Sequence, residues 1–161
     1  DNLRLELLAS ILANSSDARL SRSLVMEQKV AASISAYASF PGDRHENLFV
    51  LMAVPARGVS YATLESAIEK EIEILLKDGI TAEELQRARR SFESDIIYRM
   101  RSNAGMADLL SFYETVAGDY RIMFREFEHL EKISRQDVDE AARRHIVFKD
   151  RMIGRIIGDE Q

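Results

Sequence analysis

A chain of 161 residues with 22 basic and 27 acidic side chains carries a formal net charge of −5 and no cysteine. Apolar residues make up 46% and charged residues 30%, which is too apolar for a disordered polymer, leaves no disulfide or thiolate chemistry, and makes a poor default nucleic-acid binder. No apolar run approaches the ~18 residues of a membrane-crossing helix, so the composition points to one soluble globular domain over 1–161.

The chain opens on Asp1-Asn2 without an initiator methionine or leader and enters a helical pattern at once. It therefore reads as a piece of a longer polypeptide. Leu3, Leu7, Leu8, Ile11 and Leu12 recur at helical spacing and predict a helix over 2–13. Asn14-Ser15-Ser16-Asp17 is a turn rich in N-cap residues. A short helix is expected over 17–28, with Leu20 and Leu24 inward and Met26 as a further candidate. The period then changes to two. Ala32, Ile34, Ala36, Ala38 and Phe40 alternate with Ser33, Ser35, Tyr37 and Ser39, the pattern of a half-buried strand over 32–40. Pro41-Gly42-Asp43 turns the chain, and 48–54 is apolar at both parities, which predicts a buried strand antiparallel to the first.

Helices dominate the remainder. Leu64, Ile68, Ile72, Leu75 and Leu76 form a stripe over 60–77, stopped by Asp78-Gly79. Thr81 and Glu84 make a capping box, and Ile80 with Leu85 a hydrophobic staple, opening a helix to about residue 101 with Leu85, Ala88, Phe92 and Ile96 inward. Glu83–Arg87, Arg89–Glu93 and Asp95–Arg99 are spaced to pair on its wet side. Met106, Leu109, Leu110, Tyr113 and Val116 mark the next helix, ended by Gly118. Tyr120, Met123, Phe124, Phe127 and Leu130 mark another, read as core at helical spacing. Ile133, Ser134, Asp137 and Val138 repeat the cap and staple before a helix through about Ile146. The run 151–158 is β-rich and bounded by turns, so it predicts a last strand. The expected fold class is α+β, a largely antiparallel sheet with helices packed on one face. A strand preceding Asp1 would complete that sheet. Without it the piece would expose a sheet edge and self-associate.

Few residues offer chemistry. His45-Glu46-Asn47-Leu48-Phe49 begins like H-E-x-x-H but ends in Phe49, and H-x-x-E-H fails at His45, His129 and His145. Glu126 and His129 form one E-x-x-H half-motif without a second copy. No nucleophile elbow or phosphate loop is present. Glu65, Glu69 and Glu73 share a helix face, a candidate cation stripe but more simply a solvated face with Glu73 near Lys77. The short runs Arg87, Arg89, Arg90 and Arg143, Arg144, His145 sit among carboxylates and read as mixed-sign surface rather than a phosphate patch.

One series of motifs is more telling. Leu7-Leu8-Ala9-Ser10-Ile11-Leu12, then Ser21-Arg22-Ser23-Leu24-Val25-Met26-Glu27-Gln28-Lys29-Val30-Ala31, then the two strands, then Asp78-Gly79-Ile80-Thr81-Ala82-Glu83-Glu84-Leu85, and finally Ile133-Ser134-Arg135-Gln136-Asp137-Val138, run in an order that resembles the pitrilysin/insulinase-type zinc metallopeptidases. The match is to the C-terminal, non-catalytic type of module. That resemblance implies a processing-peptidase-like module that closes a peptide-binding chamber opposite a catalytic H-x-x-E-H module, in the same or a partner chain. It implies no cofactor in this chain, zinc in the catalytic partner, unfolded peptide as substrate and an inactive isolated module. The bacterial periplasm or cytoplasm is the expected compartment. In the family an Arg and a Tyr of such modules reach the bound peptide. The matching positions here are Val25 and Ala32, which lack the hydrogen-bonding groups. Arg22 and Tyr37 are the candidates to replace them as peptide contacts. The same departures leave open a scaffold module of this fold with no peptidase role.

Overall fold

A computed structural model of the chain describes residues 2–42 and 47–157. The first helix, α1 (Asn2–Leu12), buries Leu5, Leu7, Leu8, Ala9, Ile11 and Leu12. Apolar residues cover most of its circumference and leave one polar stripe of Asn2, Glu6 and Ser10, which suits a helix enclosed by neighbours on more than one side. It packs against the first strand and two later helices. Helical structure resumes at Arg19, and Ser21–Glu27 has π geometry. The Gln28 N–H reaches the Ser23 carbonyl at 2.8 Å, an i to i−5 bond that widens the turn. Leu20 and Leu24 are fully buried, as expected. Met26 is not: the wider turn leaves it 59% exposed.

Strands β1 (Ala31–Phe40) and β2 (Leu48–Pro55) pair antiparallel, with Ile34 opposite Ala53 and Ala36 opposite Leu51. Ile34, Ala36 and Ala38 are buried against the helices, and Phe49, Leu51 and Ala53 pack beside them. Two expectations fail at the strand ends. A register shift between Ala31 and Ser33 puts Ala31 inside and Ala32 outside, because an extra residue in one strand reverses the alternation. A second shift between Tyr37 and Phe40 leaves Phe40 exposed. The expectation that β2 is buried on both faces is also corrected. Leu48, Met52 and Val54 are 64%, 44% and 54% exposed, because the helices cover only one face of the sheet.

Helix α2 (Tyr61–Asp78) is capped by Ser60 and buries Leu64, Ile72 and Leu75. It ends at Gly79, whose φ of 75° favours glycine. Asp139 leaves no room there for a side chain: a Cβ on Gly79 would lie 2.7 Å from its Oδ2. The other oxygen of that carboxylate accepts the Ile80 N–H at 2.8 Å. Helix α3 (Ala82–Met100) starts on the expected Thr81–Glu84 capping box. Helix α4 (Asn103–Phe112) continues into a π turn over Tyr113–Ala117 that stops at Gly118, φ 77°. Helix α5 (Ile122–Lys132) buries Met123 and Leu130. Tyr120 and Phe124 lie exposed rather than in the core. Helix α6 (Arg135–His145) opens on the Ser134–Asp137 capping box.

Of the three ion pairs expected along α3, Arg87–Glu83 forms at 3.3 Å. Arg89 instead donates to the backbone carbonyls of Glu131 and Ile133 at the C-terminal end of α5. Arg99 instead meets Asp108 of α4 at 2.6 Å. Tertiary partners outcompete the i,i+4 neighbour because each side chain spans a helix–helix gap.

The expected last strand does not form over 151–157; its final residue, Gly158, lies outside the described residues. The segment crosses α2 instead. Arg155 donates two bonds to the Glu65 carboxylate, at 2.7 and 2.8 Å, and Arg151 pairs with Glu69. The Tyr61 hydroxyl donates to the Ile156 carbonyl at 2.7 Å. A strand needs a neighbouring backbone, and here the arginines find carboxylates on a helix first. Among the described residues the sheet therefore has two strands, and the architecture is α+β with helices on one face.

Candidate functional site

Tyr37 lies in the middle of β1, opposite Val50, with its ring on the open face of the sheet and 46% exposed. Alternation explains the placement: its neighbours Ala36 and Ala38 point into the core. Arg22 sits on the π segment, exposed, with its Nε 3.6 Å from a Glu27 carboxylate oxygen. Val25, one turn on, packs its side chain against the main core. Ala32 occupies the irregular start of β1 and is exposed. Ala32 and Tyr37 are five residues apart, which at about 3.3 Å per residue is roughly 16 Å along the strand. The structure thus displays both replacement candidates on the surface without joining them through a bond.

The π segment is fastened to α2. Ser23 Oγ donates to Glu71 at 2.6 Å, and Gln28 Nε2 reaches the same carboxylate at 3.1 Å. Beside β1 a shallow cleft of about 260 Å³ is lined by Glu6, Ala9, Asn14 and the strand from Ala36 to Ser39. The Asn14 carboxamide fills part of the strand's free edge. Its Nδ2 donates to the Ala36 carbonyl at 2.9 Å, and its Oδ1 accepts the Ala36 N–H at 3.1 Å. One side chain thereby does the work of a neighbouring peptide group. The turn composition around Asn14 signalled a cap, not this edge contact. A second cleft, of about 250 Å³, lies between α1 and α3 with Asp17, Glu84, Arg87 and Arg90 in its wall. Its charges are of mixed sign, and Glu84 is already engaged by Arg19 at 2.8 Å.

Metal-binding candidates do not converge. Among the described residues no group of three or more His, Cys, Asp or Glu side chains is placed to hold an ion. His45 lies outside the described residues. Glu126, half of the E-x-x-H pair, accepts the Tyr113 hydroxyl, and burial followed by that bond pushes the Tyr113 hydroxyl pKa well above its usual value. Glu65 and Glu69 of the carboxylate stripe are engaged by Arg155 and Arg151. The Arg155 hydrogen bond holds the Glu65 carboxyl below its ordinary pKa. The described donor set does not fit a zinc ion.

Comparison with known proteins places this geometry. The family model described as the peptidase M16 inactive domain matches residues 1–92. The fold superposes on a protease from Helicobacter pylori with a TM-score of 0.82 at 20% identity, covering 91% of this chain and 35% of that one. A candidate zinc protease from Bordetella pertussis Tohama I gives a TM-score of 0.81 at 24% identity, covering 97% of this chain and 84% of that one. The inactive peptidase domain of a candidate zinc protease from Bordetella parapertussis gives 0.81 at 24% identity, covering 96% and 82%. A search of curated proteins returned no significant match. The chain spans about a third of the Helicobacter pylori protein. No helix among the described residues is long and apolar enough to cross a membrane.

Proposed function

The chain belongs to the peptidase M16 inactive-domain family, and from that premise we propose that it is the non-catalytic half of a zinc-dependent endopeptidase, closing a peptide-binding chamber opposite a catalytic module. The observation that carries this reading is a pairing: a family match over residues 1–92 in a sequence without H-x-x-E-H. The zinc would belong to the companion module, in the same chain or another. This module would supply a wall that holds an unfolded peptide away from bulk water. An uncovered sheet face bearing Tyr37 supports that task, and Arg22 is the second candidate contact.

The test uses the purified chain. Metal analysis is expected to find no stoichiometric zinc, and an unfolded reporter peptide is expected to remain uncut. Adding the chain to a catalytic module of the same family is expected to restore or raise cleavage. Bound zinc at one ion per chain, or cleavage by the chain alone, would overturn the reading. The replacement of both family contact positions by Val25 and Ala32 favours a second reading, a scaffold module without peptidase work. That reading gains if no H-x-x-E-H is encoded beside this sequence in the same or the neighbouring reading frame.

A further inference from the structure

The uncovered face of the sheet has a chemistry of its own. In a chain that is 30% charged, neither Ala31–Phe40 nor Leu48–Pro55 contains a single Asp, Glu, Lys or Arg. An antiparallel sheet open to water on one side ordinarily alternates apolar inward with polar outward. Here β1 follows that rule, with Ser33 and Ser35 on the open side, and β2 breaks it, with Met52 and Val54 exposed and Val50, half-buried, at the same parity. Across the ladder Ser33 faces Val54 and Ser35 faces Met52. Small hydroxyl side chains thus lie beside a raised aliphatic row, and Tyr37 opposite Val50 interrupts the small row. The relief is a shallow step running along the strands.

The size of this face decides what it fits. Strands of eight and ten residues span about 26–33 Å, and two strands are about 10 Å across. The footprint is on the order of 300 Å², well short of the ~800 Å² per partner that a stable protein–protein interface buries. A second copy is therefore a poor occupant. An extended peptide is a good one: its alternate side chains repeat every ~6.7 Å, the same spacing as Val50, Met52 and Val54. Charge sharpens the choice further. A charged peptide side chain pressed on this row would lose water and gain no partner.

We propose that the open face of β1–β2 is a docking floor for extended peptide stretches whose alternate side chains are uncharged and aliphatic or aromatic, with Met52 and Val54 setting that preference and Tyr37 ending the step. This rests on the peptide-enclosing role above and names the substrate class for it. The test titrates the chain against three labelled, disordered decapeptides by fluorescence anisotropy. One alternates Val with Thr; in the other two Glu or Lys replaces Val. Amide chemical shifts report where each binds. The Val peptide is expected to bind about tenfold or more tightly than either charged one and to shift the β2 amides. The variant Met52→Lys, at a position exposed enough to keep the fold by circular dichroism, is expected to weaken the Val peptide and to narrow its advantage over the Glu peptide. Equal binding of all three peptides, or shifts confined to the surroundings of Arg22, would overturn the floor and leave the enclosing role standing. A dimer in sedimentation that Met52→Lys dissolves would overturn it in favour of self-association. Failure of every peptide to bind would defeat both readings.

Discussion

Glu84 serves two structures at once. Its carboxylate accepts the Thr81 N–H at 2.7 Å, closing the capping box of α3, and takes two bonds from Arg19, at 2.9 and 2.8 Å. Arg19 also donates to the Gly79 carbonyl at 3.1 Å, so one guanidinium ties the π segment's entry to the turn between α2 and α3. Burial raises the Glu84 pKa, but the Arg19 bond, the Thr81 N–H and the Arg19 charge together pull it below its ordinary value of 4.5. A carboxyl whose folded pKa is depressed contributes stability that is present above its unfolded pKa and lost as pH falls through the folded one. Glu84→Ala is therefore expected to cost about 2–3 kcal/mol at neutral pH, from a lost cap and a lost charged hydrogen bond. The cost should shrink in acid below pH 4.5. Urea unfolding of both proteins at pH 7 and at strongly acid pH checks this; a pH-independent difference would refute it. The cap was legible in the sequence because it is a contact over three residues. Arg19 was not, because its partner is 65 residues away and spacing carries no sign of it.

At the scale of elements, the same divide between local and distant partners separates what the sequence disclosed from what it hid. Helices α2, α3 and α6 were legible because caps, staples and stripes are written within a few residues. The antiparallel pair was legible from its change of period, but its irregular ends were not, since a bulge is a property of two strands together. The open face of β2 was half legible: apolar residues at both parities marked it as unusual, and only the packing showed which parity lacked a cover. The segment 151–157 misled because β-rich composition describes a preference, while a strand requires a neighbour. Its anchors are exposed arginines on partly exposed carboxylates, with Met152 and Ile156 almost wholly in solvent. Surface ion pairs hold little and are screened by salt. Arg155→Ala is therefore expected to leave the unfolding midpoint unchanged while making thermolysin cleavage before Ile153 and Ile156 several-fold faster at low salt. Raised salt should reproduce the effect in the unmodified chain. Protection that survives both changes would show that the segment is held by something other than these arginines.

The whole molecule is built on two apolar clusters of unequal size. The larger gathers α1, the π segment, both strands, α2, the first half of α3, the end of α5 and α6 around Leu7, Leu8, Leu12, Leu24, Leu130 and Val138. The smaller holds Ile96, Leu109, Tyr113 and Met123, from the end of α3, from α4 and its π turn, and from the start of α5. Phe92 packs against both, so α3 is the beam between them. A cluster of four buried residues has far less apolar surface to lose than the larger one, and regions with few buried contacts open at lower free energy than the global unfolding. Amides of α4 and early α5 are therefore expected to exchange hydrogen faster than those of α1 and α6. Met123→Ala removes a fully buried side chain from the small cluster and should weaken it by about 2–4 kcal/mol. Exchange in α4 should then rise sharply while protection in α1 and β1 stays at the wild-type level. Equal loss of protection in both clusters would show one cooperative unit instead. The separation bears on the proposed peptide floor. β1 and β2 rest on the larger cluster through Ile34, Ala36 and Ala38, so local opening of the smaller one leaves the spacing of Met52 and Val54 unchanged. Peptide binding by Met123→Ala is accordingly expected to match that of the unmodified chain even where its helices exchange freely.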